Sequence, residues 1–350
     1  MSFLGKVYSG SVWETRVDLQ AERFRPELER MVLVGDAWWY RTVAVDGYDV
    51  AEPADRPPNW AFFPLYPRLT AGLRITDSFA LNGMIVSNIG FFASLVLLGL
   101  VAIRSGLPRD AAERAIYYLA FFPTSYFFSM PVTESLFLAL SLGSIFFAHE
   151  RRWWLAGTLG GLAALTRFQG ILLVVPLALM FFRSRRRSRW ELLWLGLIPA
   201  GTAFFMWELN GVAGDPLAFV HAQSNWGRAP AFFLSPFASI LNTPATVSTP
   251  WNFVVLNVFV ALLLVVAGVI WLLRREWPLG AYTIVSVLLP LSTGSIQSVA
   301  RYTLVVFPAF LLLSMVGRKP AADRIIIAVS AALFGWLTAL MALRVDFALA

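Results

Sequence analysis

A chain of 350 residues in which 58% are hydrophobic and only 14% charged departs from soluble domains, where about a quarter of residues are charged. That excludes a set of soluble domains and points to one multi-span membrane unit. The net charge of +7 is no nucleic-acid footprint, because much of it sits in Arg183-Ser184-Arg185-Arg186-Arg187-Ser188-Arg189 between two apolar stretches, where anionic membrane lipid is the expected neighbour.

In chain order, residues 1–32 mix charged and apolar side chains, with Pro26 interrupting any helix, and carry no apolar core of a signal peptide. An acidic and aromatic region follows to residue 78. Ten apolar segments then predict membrane helices at 79–103, 115–130, 132–148, 153–166, 169–182, 190–209, 251–273, 278–293, 299–316 and 324–343. The fifth and its predecessor are short: fourteen residues cover roughly 21 Å, less than the ~30 Å hydrocarbon core, so they read as a re-entrant hairpin or as helices in a thinned region. The expected fold class is therefore all-α: a polytopic membrane protein of about ten transmembrane or re-entrant helices.

Basic clusters set the orientation. Arg104, Arg109 and Arg114, then Arg151 and Arg152, Arg183 to Arg189, Arg274 and Arg275, and Arg318, Lys319 and Arg324 all fall on one side, assigned to the cytoplasm. Residues 210–250 become a large outer loop, and residues 1–78 an extracytoplasmic region ahead of the multi-span domain 79–350. No apolar span precedes that region to translocate it. Either a first transmembrane helix is missing upstream, or residues 12–33 form an interfacial helix.

With this orientation the outer polar groups are Asp36, Asp46, Asp49, Glu134, Arg167, Gln169, His221, Gln223, Arg228, Gln297 and Arg301. An ionised carboxylate beside a membrane is costly unless solvated, paired or used, so Asp36 needs a reason. It stands among Trp38, Trp39 and Tyr40, an apolar setting that suits a base; the structural alternative is a helix cap. Arg167, between apolar stretches, either meets an anion or snorkels to headgroups. Glu134 reads as a first-turn acid favoured by the helix dipole, Asp46 and Asp49 as loop or cap residues, and Trp153, Trp154, Trp190 and Trp277 as interfacial anchors. Cysteine is absent, and His149 and His221 are assigned to opposite sides, so no metal cluster of ordinary spacing is expected.

The run Gly35-Asp36-Ala37-Trp38-Trp39-Tyr40, continuing through Gly47-Tyr48 to Phe62-Phe63-Pro64-Leu65-Tyr66-Pro67, resembles the GPI mannosyltransferase II (PIG-V-like) family. Similar features are His221-Ala222-Gln223-Ser224-Asn225-Trp226-Gly227-Arg228 and Ser298-Val299-Ala300-Arg301-Tyr302. The resemblance implies a GT-C type membrane glycosyltransferase, inverting, which moves a mannosyl or related hexosyl unit from a polyprenyl-phosphate sugar donor to a lipid or glycan acceptor. It would act on the extracytoplasmic face, in a bacterial plasma membrane. Asp36 would be the catalytic base, and Arg167, His221, Arg228, Arg301, Trp39 and Tyr40 the substrate contacts. No cofactor is implied beyond an open question of one divalent cation at Asp36. The rival expectation is a transporter or flippase for a lipid-linked sugar, which needs the same arginines but no base.

Overall fold

The computed structural model describes residues 29, 31–184, 188–237, 249–296 and 298–343, with the backbone alone over 249–256. Sequence readings that fall on 1–28, Arg185 to Arg187, 238–248 and Gln297 lie outside these residues. The described residues form helices joined by turns, and no strand occurs among them.

Helix α1, Asp36–Val45, leads into a loop that closes on Asp49. The Asp49 carboxylate accepts both terminal nitrogens of Arg56 (2.8 and 2.6 Å) and the Asn59 amide (2.9 Å), and Trp60 Nε1 donates to the Asp49 carbonyl (2.7 Å). This residue holds a loop together, in line with its sequence reading. Helix α2, Leu65–Gly72, follows, and its Tyr66 hydroxyl donates to the Gly83 carbonyl (2.9 Å) of helix α3, Phe79–Arg104. Ser78 caps α3 by accepting the Leu81 amide. Ala37, Tyr40, Val43, Phe62 and Tyr66 are buried in one apolar cluster with Val86, Leu98 and Phe137, so the stretch 34–66 packs into the same core as the first long helix.

Helix α4, Arg109–Ala120, is amphipathic and ends where Phe122 precedes Pro123, which disfavours the helical conformation. A short 3₁₀ turn over Ser125–Phe128 fills the remainder, so 115–130 is not the continuous span expected from its apolarity. Helices α5, Glu134–His149, and α6, Trp153–Ala164, form a hairpin; α7, Val174–Arg183, is entered through a 3₁₀ segment, Phe168–Leu173. Ser188 and Glu191 make a capping box that starts the 3₁₀ turn Arg189–Gly196, continued by α8, Leu197–Ala213. Short α9, Ala218–His221, then α10, Thr249–Leu273, and α11, Trp277–Leu291, lead to α12, Val299–Tyr302, α13, Phe307–Val316, and α14, Pro320–Ala342.

Among the described residues, three helices meet the length and apolarity of a membrane crossing: Phe79–Arg104, Arg189–Ala213 and Pro320–Ala342. A fourth span results if Val299–Val305 and Phe307–Val316 count as one, although they bend by 83°. Pro308 explains the break, since its ring cannot continue the helix and its nitrogen offers no donor. The apolar helices 134–149, 168–183 and 277–291 are shorter than a full crossing, whereas α10, Thr249–Leu273, runs for 25 residues. By length and composition the described residues are those of a helical membrane protein and hold three to four candidate spans.

Close backbone approach binds α6 to α8. A side chain at Gly157 would sit 2.1 Å from the Trp194 carbonyl oxygen, at Gly161 2.6 Å from that of Leu197, and at Gly201 2.4 Å from that of Gly161. The i, i+4 glycine pair thus makes the groove into which the partner helix settles, the usual device where helices meet without a hydrophobic driving force. Trp153, expected at the interface, is instead 2% exposed and packs edge-on against Phe181, whereas Trp154, Trp190 and Trp277 are exposed.

Candidate functional site

Four segments distant in sequence converge at the beginnings of α1, α5 and α12 and at the turn after α6. Gly35 adopts a left-handed φ of 55° ahead of α1, so Asp36 is the first residue of that helix. Among the described residues its carboxylate has one partner: Oδ2 lies 2.7 Å from Nη1 of Arg301. Glu134 opens α5, and its side chain is withdrawn from solvent. Arg167 follows α6 on an extended residue (φ −155°) that turns its guanidinium back toward α5. Arg301 lies on α12, just after Ser298, whose φ of 65° is uncommon for a residue with a side chain; such strain persists only where the surroundings impose it.

Glu134 is the hub. Its Oε1 accepts a hydrogen bond from Nε of Arg301 (2.7 Å) and stands 2.6 Å from Nη2 of the same arginine and 2.8 Å from Nη1 of Arg167. The Arg167 contact is an ion pair whose angle is too poor for a hydrogen bond, and Glu134 Oε2 is buried with no hydrogen-bond partner among the described residues. Two arginines and two carboxylates leave the cluster neutral, which is how buried charge is tolerated in an apolar bundle. Aromatic faces supply the rest of the lining: the Arg301 guanidinium lies 4.4 Å from the Phe127 ring centre and that of Arg167 5.4 Å from Tyr302.

The sequence-derived residues distribute unevenly around this hub. Asp36, Arg167 and Arg301 meet in it. Arg228 reaches its edge, donating to the Tyr302 hydroxyl (2.9 Å) and to Gln223 Oε1 (3.1 Å), so Tyr302 is flanked by two arginines. Trp39 is partly exposed, stacks on Phe62 (5.6 Å between centres) and meets Trp226 edge-on at 5.8 Å, forming an aromatic wall next to Asp36. Tyr40, expected to touch substrate, is buried with its hydroxyl 3.3 Å from Thr133 Oγ1, so it braces the start of α5. His221 is spent on Asp215 (2.6 Å), a hydrogen bond that holds the Asp215 carboxyl below its ordinary range, and the pair is solvent-facing. Asp46 closes the C-terminal end of α1. Among the described residues no three His, Asp or Glu side chains come together as a metal site.

Glu134 is the member that sequence reading assigned elsewhere. A helix-dipole role explained an acid in a first turn without further need. The signal pointing to a partner was its place beside an apolar run, where a carboxylate requires a cation.

No family model, curated protein or solved structure matches the chain. The class rests on the structure itself: a helical membrane protein carrying a two-acid, two-arginine cluster, buried at Glu134 and Arg301 and partly exposed at Asp36, at the meeting point of separate helices.

Proposed function

We propose that the protein is a membrane glycosyltransferase of GT-C type, which transfers a mannosyl or related hexosyl unit from a polyprenyl-phosphate sugar to a lipid or glycan acceptor at the extracytoplasmic face. The observation that carries this reading is the Asp36–Arg301–Glu134–Arg167 cluster, with its single partly exposed carboxylate and its aromatic wall. The reaction needs a base for the acceptor hydroxyl and cations for a departing phosphate, and these side chains are those two kinds of group. In the step, the acceptor oxygen attacks the anomeric carbon while its proton passes to Asp36. The bond from that carbon to the phosphate oxygen breaks, and its electron pair leaves with the polyprenyl phosphate, whose charge Arg301 and Arg167 balance. Asp36 then returns the proton to water. A single displacement inverts the anomeric centre and requires one carboxylate as base.

Trp39 and Trp226 suit the face of a hexose ring, and Arg228 with Tyr302 extends the cationic side of the site. The test is incubation of purified protein in vesicles with a polyprenyl-phosphate hexose labelled in the sugar. Label appearing in a new glycosidic product supports the enzyme. Label that crosses the bilayer while still attached to the polyprenyl phosphate would mean a transporter or flippase.

A further inference from the structure

Arg301 has two unequal arms. Nε and Nη2 both go to Glu134, whose side chain is 1% exposed, while Nη1 goes to a single oxygen of Asp36, whose side chain is 36% exposed. The first arm is held inside the protein by a carboxylate that cannot leave. The second is a one-oxygen contact at the rim, where ion pairs contribute little and exchange with solvent or ligand. We infer that the Asp36–Arg301 contact is exchangeable: a phosphate oxygen entering the site replaces Asp36 on Nη1 of Arg301, so that donor binding releases the carboxylate.

Three features favour this. A phosphate oxygen is as good a partner for a guanidinium nitrogen as a carboxylate oxygen, and the fork already fixed by Glu134 presents Nη1 in a defined direction. Asp36 sits at the first residue of α1 next to Gly35, and its side chain has no other described partner, so it can turn away without unmaking the helix. Arg167, held mainly by its ion pair to the same Glu134 oxygen, adds positive charge on the phosphate side without adding a competing acid. The consequence is an ordered event: Asp36 is masked while the site is empty and becomes free to accept a proton only when the phosphate is present. Glu134 serves here as a positioning residue, because it touches the arginines and not the substrate.

This inference rests on the reading that the site takes a phosphate, but not on the transfer reaction. The probes are a polyprenyl phosphate and, separately, inorganic phosphate, titrated onto the full-length protein in detergent. Removing the competing carboxylate by Asp36→Asn should tighten the polyprenyl phosphate about two- to fivefold, the range expected for losing a partly exposed ion pair. Asp36→Ala should do the same, which covers an amide that itself bonds Arg301. Asp46→Asn, which removes equal charge at the far end of α1, should leave affinity unchanged. Inorganic phosphate should show the same ratio at weaker absolute affinity. Binding that is unchanged or weakened in both Asp36 variants overturns the exchange while leaving the phosphate site standing. Equal tightening by Asp46→Asn also overturns it, by reducing the effect to general charge. If none of the proteins binds either probe, the exchange falls together with the phosphate reading.

Discussion

At Glu134 one buried oxygen holds two guanidinium groups, which makes this side chain the most sensitive point of the cluster. Glu134→Ala leaves two arginines facing an apolar bundle without their counter-charge and should cost about 3–5 kcal/mol, read as a large drop in thermal unfolding temperature in detergent. Glu134→Gln keeps the shape and an acceptor oxygen and should cost less. Equal stability of the Ala variant and the parent would mean that the arginines find other anions. Asp36, Arg167 and Arg301 were legible in the sequence because each is an isolated charge in apolar surroundings that demands a partner. Which partner each takes was not legible, since the ion pairs join residues separated by 33 to 265 positions, and no local pattern encodes a fold-dependent contact. His221 shows the reverse case: its spacing to Asp215, six residues back, lets it pair locally and leaves it outside the cluster.

Among elements, the α6–α8 crossing depends on having no side chain at Gly157 and Gly161. Gly161→Ala would place a methyl carbon against the Leu197 carbonyl and should destabilise by about 1–3 kcal/mol through forced separation of the helices. Gly211→Ala, on α8 with open space around it, should instead be neutral or gain about 0.5–1 kcal/mol from helix propensity. Thermal unfolding of the two variants side by side checks this, and equal destabilisation would refute the packing explanation. The same level shows where apolarity and helix continuity part. The segments 115–130 and 299–316 are largely apolar, yet Pro123 and Pro308 interrupt the hydrogen-bond ladder, and apolarity carries no information about that ladder. The short lengths of 153–166 and 169–182 were legible, and Arg167 does mark the break between them.

For the whole molecule, the orientation proposed from basic clusters puts the charge cluster and the 210–250 region on one side and Ser188 on the other. A chain without cysteine is suited to testing this. A membrane-impermeant maleimide applied to intact cells should label Ser224→Cys and spare Ser188→Cys, both exposed positions; the opposite pattern would invert the map. The claim on which the proposed transfer reaction depends is that Asp36 takes the acceptor proton. It is tested most directly by steady-state sugar transfer and donor binding measured on the same preparations of the parent and Asp36→Asn. Loss of a general base should lower kcat by about 10²–10⁴-fold, with donor affinity retained or improved. Near-full sugar transfer by Asp36→Asn would contradict it.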